Sequence, residues 1–256
     1  MKVYIDFFGR SIPCYGLMIS SGVFLGNLFM WFSIRKKGQS MTEMILLEAY
    51  ALLGAIVGSK LLYFLTAWKS IEWSCFLEWK YFLYLMQAGF VFYGALLGGG
   101  LAFYAAGRFH KIPAMDYLRS HIAAIPFMHG IGRIGCFLAG CCYGIPWKGR
   151  LAVVFPEHSF APSGIPLFPV QLVESVFLLL ISGSIFLICR WRPKTDGVGL
   201  YLIFYSILRF ILEFFRGDTI RGSLWGVSTS QWLSIPMLLL GLWLLFRSQR
   251  SFQSAL

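Results

Sequence analysis

The chain predicts an all-α polytopic membrane protein of about seven transmembrane helices, with an interfacial arm and a glycine-rich loop on the outer face. Three observations lead there. Hydrophobic residues make up 58% of the 256 and charged residues only 13%, where a soluble domain carries about 25% charged. Mean hydropathy is +0.70. The apolar residues also gather into runs of about 20, the length that crosses roughly 30 Å of hydrocarbon. A single transmembrane domain over residues 1–256 is the economical organisation.

The formal net charge is +11, from 22 Lys and Arg. In a soluble protein that balance suggests nucleic acid. Here the cations fall in short gaps between apolar runs, where membrane orientation and lipid phosphates account for them. Nucleic acid is therefore not an expected partner; the lipid bilayer is. Aromatics reach 18%, many near segment ends, as interfacial belts require.

The expected spans are 12–34, 45–68, 89–107, 115–130, 171–189, 198–215 and 232–246. Before the first lie Lys2, Asp6 and Arg10, with no small-residue cleavage site at the usual distance after them, so the first span is read as retained rather than removed. Compact basic clusters follow span one (Arg35, Lys36, Lys37), span three (Arg108, Lys111), span five (Arg190, Arg192, Lys194) and span seven (Arg247, Arg250). Alternating spans put all four on one side, which the positive-inside rule makes cytoplasmic. The expectation is a membrane protein with its N-terminus outside and its C-terminus in the cytoplasm. Segment 68–88 mixes aromatics with few charges and reads as an arm lying on the membrane. Segment 131–170 is rich in Gly and Pro, too long for an idle loop, and too aromatic for disorder.

Charged residues inside such spans are costly and normally face a polar cavity with an anionic partner. Arg133 lies in His129-Gly-Ile-Gly-Arg-Ile-Gly-Cys-Phe-Leu-Ala-Gly-Cys-Cys-Tyr-Gly144. Its guanidinium is a rigid fork suited to phosphate, and glycine-freed N–H groups beside it can also hold an anion. The competing reading is a glycine-rich packing turn with Arg133 paired to a carboxylate. A second stripe, Tyr205, Arg209, Glu213 and Arg216, falls on one face at helical spacing. Glu213 there can neutralise Arg209 or Arg216, and a structural ion-pair ladder is the alternative. Glu48, Lys60, Gln171 and Glu174 either line the same cavity or hydrogen-bond between helices. Tyr93 and Tyr15 are by default interfacial aromatics, and His121 and His158 carry no specific expectation.

Cys136, Cys141 and Cys142 cluster near Arg133. C-x4-C-C is not a usual zinc spacing, and adjacent cysteines rarely ligate one ion together. Small-residue packing ranks first, a disulfide second and a metal last, so no metal is expected.

Taken in order, the motifs resemble those of the prolipoprotein diacylglyceryl transferase family, over most of the chain. They are Tyr15-Gly16-Leu17-Met18, Phe92-Tyr93-Gly94, Gly132-Arg133-Ile134-Gly135, Phe168-Pro169-Val170-Gln171-Leu172, and Arg209 to Gly217. The resemblance implies a seven-span enzyme of lipoprotein maturation. It would move a diacylglyceryl group from phosphatidylglycerol to the lipobox cysteine of a prolipoprotein as a thioether, releasing glycerol phosphate, and no metal or organic cofactor is implied.

Carried over residue by residue, Arg133 and Arg209 hold the lipid phosphate and stabilise the departing charge. Arg216, Glu213, Tyr205, Tyr15, Gln171 and Gly144 support the pocket. This chain departs from the commoner family pattern at three places. Tyr93 stands where a histidine is often cast as base, and Cys136 and Cys141 stand for Asn and Glu. A phenol is a weak base at neutral pH. His129, one turn before Arg133, is the candidate replacement; the alternative makes it a helix-packing hydrogen bonder. A substrate thiol beside arginines is itself easier to ionise. Three other readings differ in kind: a paralogue with another thiol acceptor, a non-catalytic lipid or anion transporter, and, more remotely, a thiol oxidoreductase using Cys141 and Cys142.

Overall fold

The computed structural model describes residues 3–7, 10–87, 91–218 and 223–253. They form nine α-helices and three two-stranded antiparallel hairpins. The chain packs as two compact units, Met1–Phe32 with Arg119–Leu256, and Ser33–Leu118.

Helices α2 (Met41–Thr66) and α4 (Phe92–Phe109) dominate the smaller unit. They approach so closely that a β-carbon at Gly58 would collide with the Gly94 carbonyl, and one at Gly54 with the Gly98 carbonyl. Such small-residue contacts are how helices associate where burial of apolar area gives no drive. Met44, Leu47, Ala106, Ile112, Ala114 and Tyr117 form this unit's core. Between the helices, segment 68–87 runs through two 3₁₀ turns, Trp68–Ser70 and Trp73–Cys75, into α3 (Trp79–Gln87). Its aromatics pack on one another, Trp68 and Trp73 at 4.3 Å between centroids. Leu77, Trp79 and Tyr84 stay exposed, as a segment facing lipid or head groups would keep them. Lys60 donates to the Leu85 carbonyl at 2.7 Å and so ties this segment to α2.

The larger unit begins with the hairpin β1 (Tyr4–Phe7) and β2 (Arg10–Pro13), then α1 (Cys14–Lys36). Helix α5 (Ala114–His121) runs into it and bends by 61° into α6 (Ala124–Ala139). Then come β3 (Val153–Val154), β4 (Pro166–Leu167), α7 (Val170–Trp191) and α8 (Gly197–Leu212). The hairpin β5 (Ser223–Leu224) and β6 (Val227–Ser228) leads to α9 (Thr229–Gln253). Serines join α7 to its neighbour: Ser175 Oγ donates to the Gly130 carbonyl and Ser182 Oγ to the Ala123 carbonyl, both at 2.7 Å. Asp196 caps α8 by accepting from the Val198 and Gly199 N–H groups. Val170, Leu178, Leu208 and Leu212 make the α7–α8 core.

Among the described residues five helices are long and apolar enough to cross a membrane, or six where the bent α5–α6 pair is counted as one span. The expected third span corresponds to α4, whose glycines and Arg108 dilute its apolarity; Gly89 and Phe90, expected to open it, lie outside the described residues. This is a multi-pass helical membrane protein. The largest departure from expectation is α6, which continues to Ala139 instead of stopping at 130. The glycine–arginine segment is therefore helix, not loop. Its glycines serve as flat contact faces: a β-carbon at Gly130 would lie 3.2 Å from the Ser175 carbonyl, and one at Gly135 would lie 2.9 Å from Met18 Cβ.

Candidate active site

Three helices and one turn deliver charge to a single point in the larger unit. Arg133 comes from α6, Glu174 from the second turn of α7, Arg209 from the last turn of α8, and Glu213 from the 3₁₀ turn Glu213–Phe215 that follows. Arg133 Nη2 donates to Glu174 Oε1 at 2.9 Å. Arg209 Nη2 pairs with Glu213 Oε2 at 2.7 Å and donates to Ser230 Oγ at 3.0 Å. Arg209 Nη1 stands 4.0 Å from Glu174 Oε2, an ion-pair distance without a hydrogen bond. Glu174 is fully buried, so it bridges the two guanidinium groups; a buried carboxylate is tolerable only with such pairing.

Two donors in this cluster are unspent. Arg133 Nε and Arg209 Nη1 are buried and make no hydrogen bond among the described residues. Buried donors are nearly always satisfied in folded proteins, and exceptions call for a reason. An oxygen-rich anion such as a phosphate would supply the missing acceptors.

The stripe expected on span six breaks after Leu212. The chain tightens into the 3₁₀ turn, and Arg216 is extended, not helical. A backbone bridge between Gly144 and Arg216 holds it there, with Gly217 N donating to the Tyr143 carbonyl and Ile145 N to the Phe215 carbonyl, both at 3.0 Å. A β-carbon at Gly144 would strike the Phe168 carbonyl, so Gly144 is needed for close approach of three strands of backbone. Arg216 consequently leaves Glu213 to Arg209 and grips Asp218 in a two-pronged pair, Nε to Oδ1 at 2.9 Å and Nη2 to Oδ2 at 2.7 Å. Burial opposes the charge on Arg216, yet Asp218 and the neighbouring Cys142 thiol outweigh it, and its pKa lies above the ordinary arginine range.

Gly140 ends α6 in a left-handed conformation, φ +76°, the usual place for glycine at a helix end. The chain then turns back so that Cys141 and Cys142 face Cys136, and the three sulfurs all lie within 4.8 Å of one another. Cys136 Sγ is 4.0 Å from Arg133 Nη1. None of the three is in a disulfide. Gln171 Nε2 donates to the Cys141 carbonyl at 2.8 Å, so its part here is to pin this turn to α7. The loop beyond has a small core of its own in Phe155, Ala161 and Leu167.

His129 lies one turn before Arg133 on the same continuous helix, its ring 5.3 Å from Tyr205 in an edge contact. Tyr205 in turn stacks on Tyr201 at 5.7 Å. Tyr15 opens α1 beside Gly135, where a β-carbon would be 3.3 Å from Tyr15 Cα. The larger unit thus holds Tyr15, His129, Arg133, Gly144, Gln171, Tyr205, Arg209, Glu213 and Arg216. Tyr93 stands in the first turn of α4 in the smaller unit, half-buried.

The family profile described as prolipoprotein diacylglyceryl transferase matches residues 2–247, which takes in every residue of the cluster. The chain belongs to the prolipoprotein diacylglyceryl transferase family. It is 34% identical to phosphatidylglycerol–prolipoprotein diacylglyceryl transferase 2 of Clostridium perfringens, over 93% of this chain and 91% of that one. It is 34% identical to the phosphatidylglycerol–prolipoprotein diacylglyceryl transferase of Clostridium tetani, over 94% of each, and 30% identical to that of Mannheimia succiniciproducens, over 90% and 86%. The protein is a transferase.

Three carboxylates, Glu174, Glu213 and Asp218, pair with the arginines Arg133, Arg209 and Arg216. Glu174 was only one of several polar intruders in the sequence, and neither Asp218 nor Ser230 was singled out. The available signal for Glu174 was its place in a strongly apolar run, since an acid at membrane depth marks function by default. Asp218 and Ser230 left no comparable trace, because their roles arise from a loop bridge and from the start of a later helix.

Proposed function

We propose that this chain transfers the sn-1,2-diacylglyceryl group of phosphatidylglycerol to the lipobox cysteine thiol of prolipoproteins, the first step of lipoprotein maturation. The thiolate attacks the glyceryl methylene carbon, the carbon–sulfur bond forms as the carbon–oxygen bond to phosphate breaks, and glycerol phosphate leaves with the bond's electron pair. The observation that carries this reading is the pair of buried, unspent donors on Arg133 and Arg209, within a chain of this family. Phosphate is a monoanion in the diester and gains charge as it departs, so donors aimed at it favour the transition state over the bound lipid. Arg216, Gln171, Tyr15, Tyr205, Glu213 and Gly144 shape the pocket around them.

The thiol proton requires an acceptor, and His129 is our candidate, one turn from Arg133 and against Tyr205. Tyr93 is the second candidate at the position where the family commonly has histidine. We place the protein in the bacterial plasma membrane with its N-terminus outside, its C-terminus cytoplasmic and the arginine cluster toward the outer leaflet, on the strength of the basic loops after spans one, three, five and seven.

The test uses purified protein, phosphatidylglycerol and a lipobox peptide, read by mass spectrometry for the diacylglyceryl increment. A gain abolished by Arg133→Ala and by Arg209→Ala supports the reading. A gain on a different thiol but none on the lipobox peptide favours a paralogue with another acceptor, for which Tyr93, Cys136 and Cys141 are the motivating departures. No gain on any thiol, with lipid still bound, overturns it.

A further inference from the structure

We propose that Cys136, Cys141 and Cys142 form a binding site for one soft divalent cation of the zinc and cadmium class, held by three thiolates. A d¹⁰ ion binds thiolate sulfur at about 2.3 Å, which spaces three ligands about 3.8–4.0 Å apart. The three sulfurs already lie within 4.8 Å of one another, and rotation of the side chains closes the difference.

Sequence spacing argued against this arrangement, because C-x4-C-C is not a usual zinc spacing and adjacent cysteines rarely ligate one ion together. The backbone removes that objection. Gly140 reverses the chain with φ +76°, and Cys142 itself takes a left-handed conformation, φ +59°, which a residue with a β-carbon seldom adopts. This double turn swings both thiols back onto the end of α6, where Cys136 waits. An unusual backbone at a place where three reactive groups converge is a feature of ligand sites.

Charge and donor type agree. An ion of charge +2 with three thiolates is a monoanion, and the Arg133 guanidinium stands 4.0 Å from Cys136 Sγ, with Arg216 beside Cys142. The donors are all sulfur, which selects soft ions over magnesium or calcium. Cys136 is buried while Cys141 and Cys142 are half-exposed, so an ion enters from the loop side. Each thiol releases its proton to solvent as its metal–sulfur bond forms, three protons for one ion.

The experiment needs no catalysis, so it stands or falls apart from the reaction proposed above. The full-length protein in detergent is reduced, desalted and titrated with cadmium, following the ultraviolet cadmium–thiolate charge-transfer band. Maleimide labelling with peptide mass spectrometry then identifies which cysteines the metal shields. We expect one equivalent bound, Cys136, Cys141 and Cys142 shielded together, and displacement of cadmium by zinc. Serine at any one of the three should weaken binding on the order of tenfold or more, while Cys75→Ser and Cys189→Ser leave it unchanged. Shielding of other cysteines, no band at equimolar cadmium, or a Cys136 disulfide in place of metal binding overturns the proposal. The wild-type shielding pattern decides the matter even where a serine variant fails to fold.

Discussion

Arg133 and Glu174 meet at 2.9 Å across the α6–α7 interface, and Glu174 is fully buried there. The pair is more than a tie between helices. Glu174 also faces Arg209, and Glu213 completes the set, so two guanidinium groups and two carboxylates cancel in charge. The carboxylates hold the forks in place, and they also compete with any incoming phosphate for the same donors.

That competition separates binding from turnover in Glu174→Gln. Removing the charge leaves the cluster one unit more positive, so the KM for phosphatidylglycerol should fall. The Arg133 fork loses its charged anchor, so kcat should fall too. Steady-state kinetics with varied lipid reads both, and an unchanged KM would count against the competition. Glu174→Ala, which leaves two buried cations short of a partner, should cost roughly 3–5 kcal/mol of stability, seen as a lower unfolding midpoint.

Arg133→Lys keeps the charge and loses the planar fork. If Arg133 stabilises charge on the departing phosphate, turnover should drop about 100-fold, near 2.7 kcal/mol, the loss typical of one such donor. A lysine variant with near-normal kcat would reduce Arg133 to a structural ion pair.

His129→Ala and Tyr93→Phe divide the question of the base. If His129 accepts the thiol proton, its removal should slow transfer about 10²–10⁴-fold while Tyr93→Phe has little effect. The opposite ranking would make His129 a packing residue against Tyr205. Both are read in the mass-spectrometric transfer assay at fixed pH.

Asp196→Ala removes the side chain that accepts from the Val198 and Gly199 N–H groups at the start of α8. An N-cap is worth about 0.5–2 kcal/mol. The unfolding midpoint should fall while turnover stays close to normal, because Arg209 lies at the far end of the helix.

Gly144→Ala places a methyl group against the Phe168 carbonyl. Overpacking of this kind costs about 1–3 kcal/mol, and because the strain falls on the bridge to Arg216, activity should drop with stability. A fully stable and active alanine variant would mean that the backbone there yields easily.

Much of this was legible in the sequence, for identifiable reasons. Hydropathy locates the long helices because the bilayer sets their length, and intramembrane charge marks Arg133 and Arg209 because hydrocarbon makes such residues rare. The extent of α6 was not legible: glycines at 130, 132 and 135 suggest a loop by propensity, and only contact of Gly130 with α7 and of Gly135 with α1 makes those two good helix surface. The partner of Arg216 was equally hidden. Helical spacing nominates Glu213, whereas the Gly144 bridge pulls Arg216 out of the helix and toward Asp218. Convergence of Cys142 with Cys141 on one side depends on a left-handed residue, which no side-chain pattern announces.

The distribution of partners has a consequence for biogenesis. Arg209 finds Glu213 four residues on in its own segment, so α8 can enter the bilayer with its cation already neutralised. Helix α6 has no acid of its own, and the carboxylate for Arg133 arrives only with α7, after the whole loop between them has been synthesised. Until then α6 carries an exposed charge at membrane depth, an insertion cost that an isolated span bears poorly. The expected consequence is that newly made α6 stays at a water-filled or interfacial station until α7 emerges, with the docking of these two helices committing the assembly.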